Sequence, residues 1–215
     1  IDGRETLSRL VGAHNAYNLL AIYTTAVCLG TPVDEVLVAL SDLRSAPGRL
    51  ENLRGPRDLS VIIDYAHNGQ SFRSVIDTFG EYAHNRIITV FGSVGDRAQL
   101  RRREMGAVSG KLADLSVVTT DDPGFEDPQA IAEEIASYVK KEGGAYKIIV
   151  DRTEAVAYAL SEAKKGDIVL ILGKGHETYQ KVCGEKVHYS DHEAVAAFFA
   201  GGKKSAESGE RRAES

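Results

Sequence analysis

From residue 59 onward, short aliphatic runs alternate with longer stretches whose apolar positions recur every three or four residues. Leu59 to Tyr65, Arg86 to Phe91, Leu115 to Thr119, Tyr146 to Val150 and Asp167 to Leu172 read as strands covered on both faces, because few charges interrupt them. Between them lie amphipathic stretches. Ser71 to Tyr82 puts Phe72, Val75, Ile76 and Phe79 on one helical face. Leu100 to Leu112, Pro128 to about Lys141 and Thr153 to Lys164 read as further helices, with Asp127 and Thr153 as their caps where a cap is legible. Val187 to Tyr189 is expected as a sixth, short edge strand, and Ser190-Asp191 as the cap of a last helix from about Glu193 to Phe199. This alternation predicts an α/β fold: a mostly parallel sheet of about six strands, helices on both faces, right-handed crossovers.

The first residues follow a different period. His14 to Leu29 is helical and ends at Gly30. Thr31 is then expected as N-cap and Pro32 as first position of a second helix, Val33 to Leu43. Ser45-Ala46-Pro47-Gly48 reads as a linker. The expected organisation is therefore a helical piece over 1–46, an α/β domain over 47–200 and a disordered polar tail over 201–215.

Composition narrows the class. The chain has 215 residues, 43% hydrophobic and 27% charged, with a net charge of −5. That is the balance of a soluble globular protein. Mild acidity argues against nucleic acid as a partner. No apolar run approaches the roughly 20 residues that span a bilayer, so no membrane partner is expected either. The start, Ile1-Asp2-Gly3-Arg4-Glu5, lacks a signal-peptide core and an initiator Met, which suggests a segment of a longer or processed cytoplasmic protein. Cys28 and Cys183 are too few for a disulfide framework and are expected as free thiols buried for packing.

The chemistry-bearing residues cluster after the strands, where ligands of such sheets bind. Asp64-Tyr65-Ala66-His67 follows the first; its Asp and His either face a ligand or serve as cap and surface residue. Gly92-Ser93-Val94-Gly95-Asp96-Arg97 follows the second, a glycine-rich turn with a guanidinium suited to a carboxylate. Arg101, Arg102 and Arg103 come next, facing an anion or solvent. Thr119 to Asp127 is acidic and suits an ammonium or a cation, or else a solvated turn. Asp151-Arg152 ends the fourth strand, where binding and the tying together of loops are equally open. Gly173-Lys174-Gly175-His176-Glu177 follows the fifth and makes a poor structural element but a reasonable polar site.

Taken in order, Gly12-x-His14-Asn15-x-x-Asn18, Gly48-Arg49-x-Glu51, Asp64-Tyr65-Ala66-His67, Gly95-Asp96-Arg97, Asp121-Asp122-Pro123 and Gly173 to Glu177 resemble the Mur ligase family, over about residues 8 to 200. The similarity is greatest to the branch that adds the third amino acid of the peptidoglycan stem to UDP-N-acetylmuramoyl-L-alanyl-D-glutamate. The resemblance implies a Rossmann-like domain preceded by the closing helices of a central ATPase domain. It implies ATP-dependent amide formation through an acyl phosphate, with ATP and Mg²⁺ as cofactors and the UDP-linked peptide and an amino acid as partners. By position it places Asn15, Asn18, Arg49, Asp64 and His67 at ATP, and Arg97, Asp121, Asp122, Gly124, Gly173 and Glu177 at the amino acid. It gives this chain no catalytic residue and no metal ligand. The chain holds no Gly-Lys-Thr or Gly-Lys-Ser of a P-loop, so alone it is expected to be inactive. Diaminopimelate-adding relatives carry Asp-Asn-Pro-Arg where this chain has Asp121-Asp122-Pro123-Gly124, which implies L-lysine as the amino acid. A folylpolyglutamate- or cyanophycin-synthetase relative, and a non-catalytic amino-acid- or nucleotide-binding module, are the alternatives.

Overall fold

The computed structural model describes residues 1–55, 59–96 and 99–201. It divides into two compact units, Ile1–Ala46 and the remainder from Pro47. The expected tail from 202 onward lies outside the described residues.

In the first unit, α1 (Ala13–Cys28) and α2 (Val33–Asp42) bury Leu19, Tyr23, Val36 and Leu40 against one another. Thr31 does not cap α2. Pro32 occupies the cap position and no side chain bonds there; Asp34 and Glu35 supply negative charge to the first turn instead.

The second unit is built on a six-stranded sheet. Its strands are β1 (Glu51–Arg54), β2 (Ser60–Asp64), β3 (Ile87–Phe91), β4 (Leu115–Val118), β5 (Tyr146–Ile148) and β6 (Ile168–Leu172), in the order β1-β2-β6-β3-β4-β5. All pairs are parallel except β1–β2, where Glu51 faces Ile63 and Arg54 faces Ser60. The sixth strand is therefore not Val187–Tyr189. That segment contributes to β8 (Glu185–His188), which pairs only with β7 (Tyr179–Val182) in a separate hairpin. Cys183 and Gly184 form its turn with φ of +50° and +83°.

Alternation along the strands divides the core. Val61, Ile63, Val90, Val117, Val169 and Ile171 face α6 (Arg152–Glu162) and a last helix, α7, over 191–201. The other face meets α3 (Gly69–Gly80), α4 (Gln99–Leu112) and α5 (Pro128–Lys141). There Phe72 and Phe91 meet edge to face at 4.7 Å. The polar positions on that side satisfy one another: Ser109 Oγ lies 2.7 Å from both Thr89 Oγ1 and Ser116 Oγ.

The caps follow local chemistry. Asn68 and Ser71 form a capping box on α3, and Asp127 with Pro128 opens α5. Asp151, not Thr153, caps α6 by accepting from the Glu154 N–H at 2.9 Å. Ser190 alone serves the start of α7, because the Asp191 carboxylate is drawn into the interior. Both cysteines are free but exposed, not buried: Cys28 ends α1 and Cys183 sits in the hairpin turn.

Candidate functional site

The carboxyl ends of β2, β3, β4 and β6 surround a cavity of about 220 Å³. Tyr65 and His67 line it after β2, Ser93 after β3, Asp121 and Asp122 after β4, and Glu177 after β6. The expected clusters thus converge because parallel strands all end on one side of the sheet.

Its charge centre is Lys174. The side chain is fully buried, and Nζ lies 2.7 Å from Asp122 Oδ1, 2.8 Å from Glu177 Oε2 and 3.6 Å from Asp121 Oδ1. Burial alone would lower the Lys174 pKa, but Asp121, Asp122 and Glu177 outweigh it and hold the pKa above its usual value. Asp121 moves the other way: burial pushes its pKa up, despite the nearby Arg152 and Lys174 charges. Ligand oxygens of Asp121, Asp122 and Glu177 lie within 4.8 Å of one another. Within this trio one ammonium serves three carboxylates, while Arg101 and Lys181 also line the cavity.

The backbone makes this crowding possible. Gly173 has φ +112°, and a Cβ there would stand 2.6 Å from Asp121 Oδ2. Its N–H donates to the Asp64 carbonyl at 3.1 Å. The hairpin grips the acidic loop from the other side. Gln180 Nε2 donates to the Asp121 carbonyl at 2.9 Å and the Lys181 N–H to Asp122 Oδ1 at 3.0 Å. Gly124 forms an isolated bridge with Val182, receiving the Cys183 N–H at 2.8 Å and donating to the Lys181 carbonyl at 3.2 Å. At φ +61°, Gly124 also faces the Asp96 carboxylate so closely that a Cβ would collide with it.

Around β2, Asp64 is 6% exposed and accepts from the Leu50 N–H at 2.8 Å and the Ala66 N–H at 2.7 Å. It thereby ties Arg49-Leu50 to the strand end. Leu50 sits at φ +43°, a conformation that these contacts hold. The Arg49 guanidinium lies over the Tyr65 ring at 5.0 Å, and His67 Nδ1 is 2.8 Å from the Tyr65 carbonyl. Asn15 and Asn18 lie on α1 in the first unit; Asn15 Nδ2 donates to the Val11 carbonyl and Asn18 Nδ2 to Asn15 Oδ1. Arg97 lies outside the described residues.

The arginines after β3 divide. Arg102 is buried and bonds Glu126 and Glu134, so it is a structural clamp between α4 and α5. Arg101 lines the cavity. Arg152 is also structural. Its buried guanidinium meets Asp191 at 2.9 Å and 3.0 Å and the Leu172 carbonyl at 3.0 Å, tying together the ends of β5 and β6 and the start of α7. Sequence reasoning missed the pairing of Lys174, the hairpin residues Gln180 and Lys181, and the place of Ser93. For Lys174 the signal was present, a lysine between two glycines beyond a strand, opposite an acidic loop.

Residues 48–175 match the model of the Mur ligase glutamate ligase domain, and the chain belongs to the Mur ligase family. Among curated relatives, the UDP-N-acetylmuramoyl-L-alanyl-D-glutamate--2,6-diaminopimelate ligase of Alkaliphilus metalliredigens is 44% identical over 183 residues, covering 85% of this chain and 37% of the relative. The ligase of the same name from Clostridioides difficile is 40% identical over 184 residues, covering 86% and 38%. A solved 2,6-diaminopimelate ligase superposes with a TM-score of 0.71 at 30% identity, over 92% of this chain and 40% of that one. The chain thus spans about two fifths of the length of the proteins it matches.

Proposed function

We propose that the chain is the amino-acid-accepting part of an ATP-dependent ligase. That ligase joins an amino acid to UDP-N-acetylmuramoyl-L-alanyl-D-glutamate. Residues 1–46 would be the closing helices of its central ATPase domain and 47–200 its C-terminal domain. The carrying observation is local: among the described residues, Asp121, Asp122 and Glu177 gather around one buried ammonium, that of Lys174. An α-amino group with a second, side-chain ammonium meets those carboxylates, and L-lysine is the amino acid proposed. Asp122, at the Asn position of the diaminopimelate motif, adds one of those charges. Gly124, at the Arg position, offers no cation for a second carboxylate, whose burial without a partner costs several kcal/mol by order of magnitude.

In this reading Asp121, Asp122 and Glu177 hold the ammonium groups, and Arg97 takes the α-carboxylate. Gly173 gives Asp121 its room, and Gly124 holds the acidic loop on the hairpin. Arg49 and His67 face the ATP phosphates and ribose, positioned by Asp64. ATP supplies the phosphoryl group that activates the peptide carboxylate. The α-ammonium must lose a proton before its nitrogen can attack, and the carboxylates that hold it are the groups placed to accept that proton. Mg²⁺ does not fit the Asp121-Asp122-Glu177 trio, because the Lys174 ammonium already stands among those oxygens. Its ligands belong to the part of the protein that this chain does not span.

Diaminopimelate is the second reading, favoured by Lys181, a cation that also lines the cavity, and by the names of the relatives. The test of the class is ligation by the full-length protein. ATP consumption should require both the UDP-linked dipeptide and an amino acid, and the 215-residue chain alone should show none. Turnover by the isolated chain, or amino-acid-independent turnover by the whole protein, contradicts the proposal.

A further inference from the structure

Ser93 stands in the loop between β3 and α4. It is 4% exposed and lines the cavity, yet its hydroxyl has no hydrogen-bond partner among the described residues. Buried hydroxyls in folded proteins nearly always have one. The loop that carries it is tied down at its neighbours. Gly95 N–H donates to the Asp122 carbonyl at 2.7 Å, Asp96 N–H to the Glu126 carboxylate, and Arg102 to the Val94 carbonyl at 3.2 Å. A donor with no protein partner at the wall of a cavity favours a ligand that accepts from it.

The chemistry of the walls says which ligand atom that is. Asp121, Asp122 and Glu177 repel a carboxylate. Arg101, in the first turn of α4, lines the same cavity and attracts one. We infer that the Ser93 hydroxyl donates a hydrogen bond to the α-carboxylate of the incoming amino acid, with Arg101 as a further cation lining the same cavity. The inference rests on the proposed function and deepens it. Ser93 is a substrate-binding residue whose partner arrives with the substrate.

The test is Ser93→Ala in the full-length protein, assayed with L-lysine and with lysinamide, whose neutral amide replaces the carboxylate. A lost charge-assisted hydrogen bond is worth about 10-fold or more in KM. KM for lysine should rise by that factor, with kcat and the KM values for ATP and UDP-linked dipeptide unchanged. The preference of the wild type for lysine over lysinamide should shrink in the variant. The melting temperature of the ligand-free protein should hold, because the hydroxyl bonds no other described residue. An unchanged KM for lysine overturns the inference. So does a rise confined to the KM for ATP, which assigns the hydroxyl to a phosphate oxygen, and so does a lowered melting temperature, which marks Ser93 as structural. Absence of lysine-dependent turnover in the wild type overturns the functional reading itself and this inference with it.

Discussion

Replacing Lys174 by methionine keeps a long side chain and deletes its charge. The native ammonium contacts Asp122 at 2.7 Å and Glu177 at 2.8 Å and lies 3.6 Å from Asp121, with no exposed surface of its own. In Lys174→Met three carboxylates within 4.8 Å are left with no cation between them. Removing one member of a buried ion pair costs about 3–5 kcal/mol. Here one cation serves three partners, so the loss at neutral pH should reach at least about 3 kcal/mol, a large share of the about 5–15 kcal/mol that holds a domain together. The sign of the pH dependence follows from linkage. Uncompensated carboxylates have folded-state pKa values above their unfolded ones, so the folded variant binds more protons than the unfolded chain. Its stability then falls as pH rises through that window. The penalty of the substitution should therefore be greatest at about pH 7 and shrink toward about pH 5. Urea denaturation of wild type and variant at the two pH values measures it. A loss under about 1 kcal/mol at neutral pH, the scale of an exposed pair, refutes the reasoning. So does a penalty that grows on acidification.

Three further outcomes are expected. Arg152→Met should cost about 3–5 kcal/mol by leaving Asp191 unpaired, and adding Asp191→Leu should recover at least half of it in the same denaturation assay. Gly124→Arg should not convert the site to diaminopimelate. At φ +61° against Asp96 the new side chain strains the loop, and a lower melting temperature without gained turnover is the result to look for. Lysine binding should lower the raised pKa of Asp121, because a bound ammonium favours the carboxylate that burial disfavours, so binding should release protons and affinity should improve as pH rises toward that pKa. Calorimetry in buffers of different ionisation enthalpy reads the proton count.

The parallel strands β2, β3, β4 and β6 were legible in the sequence because full burial leaves aliphatic runs such as Val61-Ile62-Ile63 and Ile168 to Leu172. β1 was not, because Glu51-Asn52-Leu53-Arg54 pairs on one side only and need not be apolar. The Val187–Tyr189 segment carried a strand signal, and Val187 and His188 lie in β8, but nothing local says which sheet it joins. The site was legible as a set of strand ends, since Asp121, Asp122, Gly173 and Glu177 follow β4 and β6 and topology alone brings them together. Its charge balance was not. Lys174 and Asp122 are far apart in the chain, and their pairing depends on the loop conformation that Gly173 and the hairpin impose. Ser93 was invisible for the same reason: an unpaired hydroxyl is defined by what surrounds it.

The claim that matters most is that the carboxylate trio around Lys174 accepts a dibasic amino acid. Its most direct measurement is kcat/KM of the full-length protein for L-lysine and for meso-diaminopimelate, with ATP and UDP-N-acetylmuramoyl-L-alanyl-D-glutamate saturating. The account predicts a clear preference for lysine. A preference for diaminopimelate would contradict it and would move the second carboxylate to Lys181.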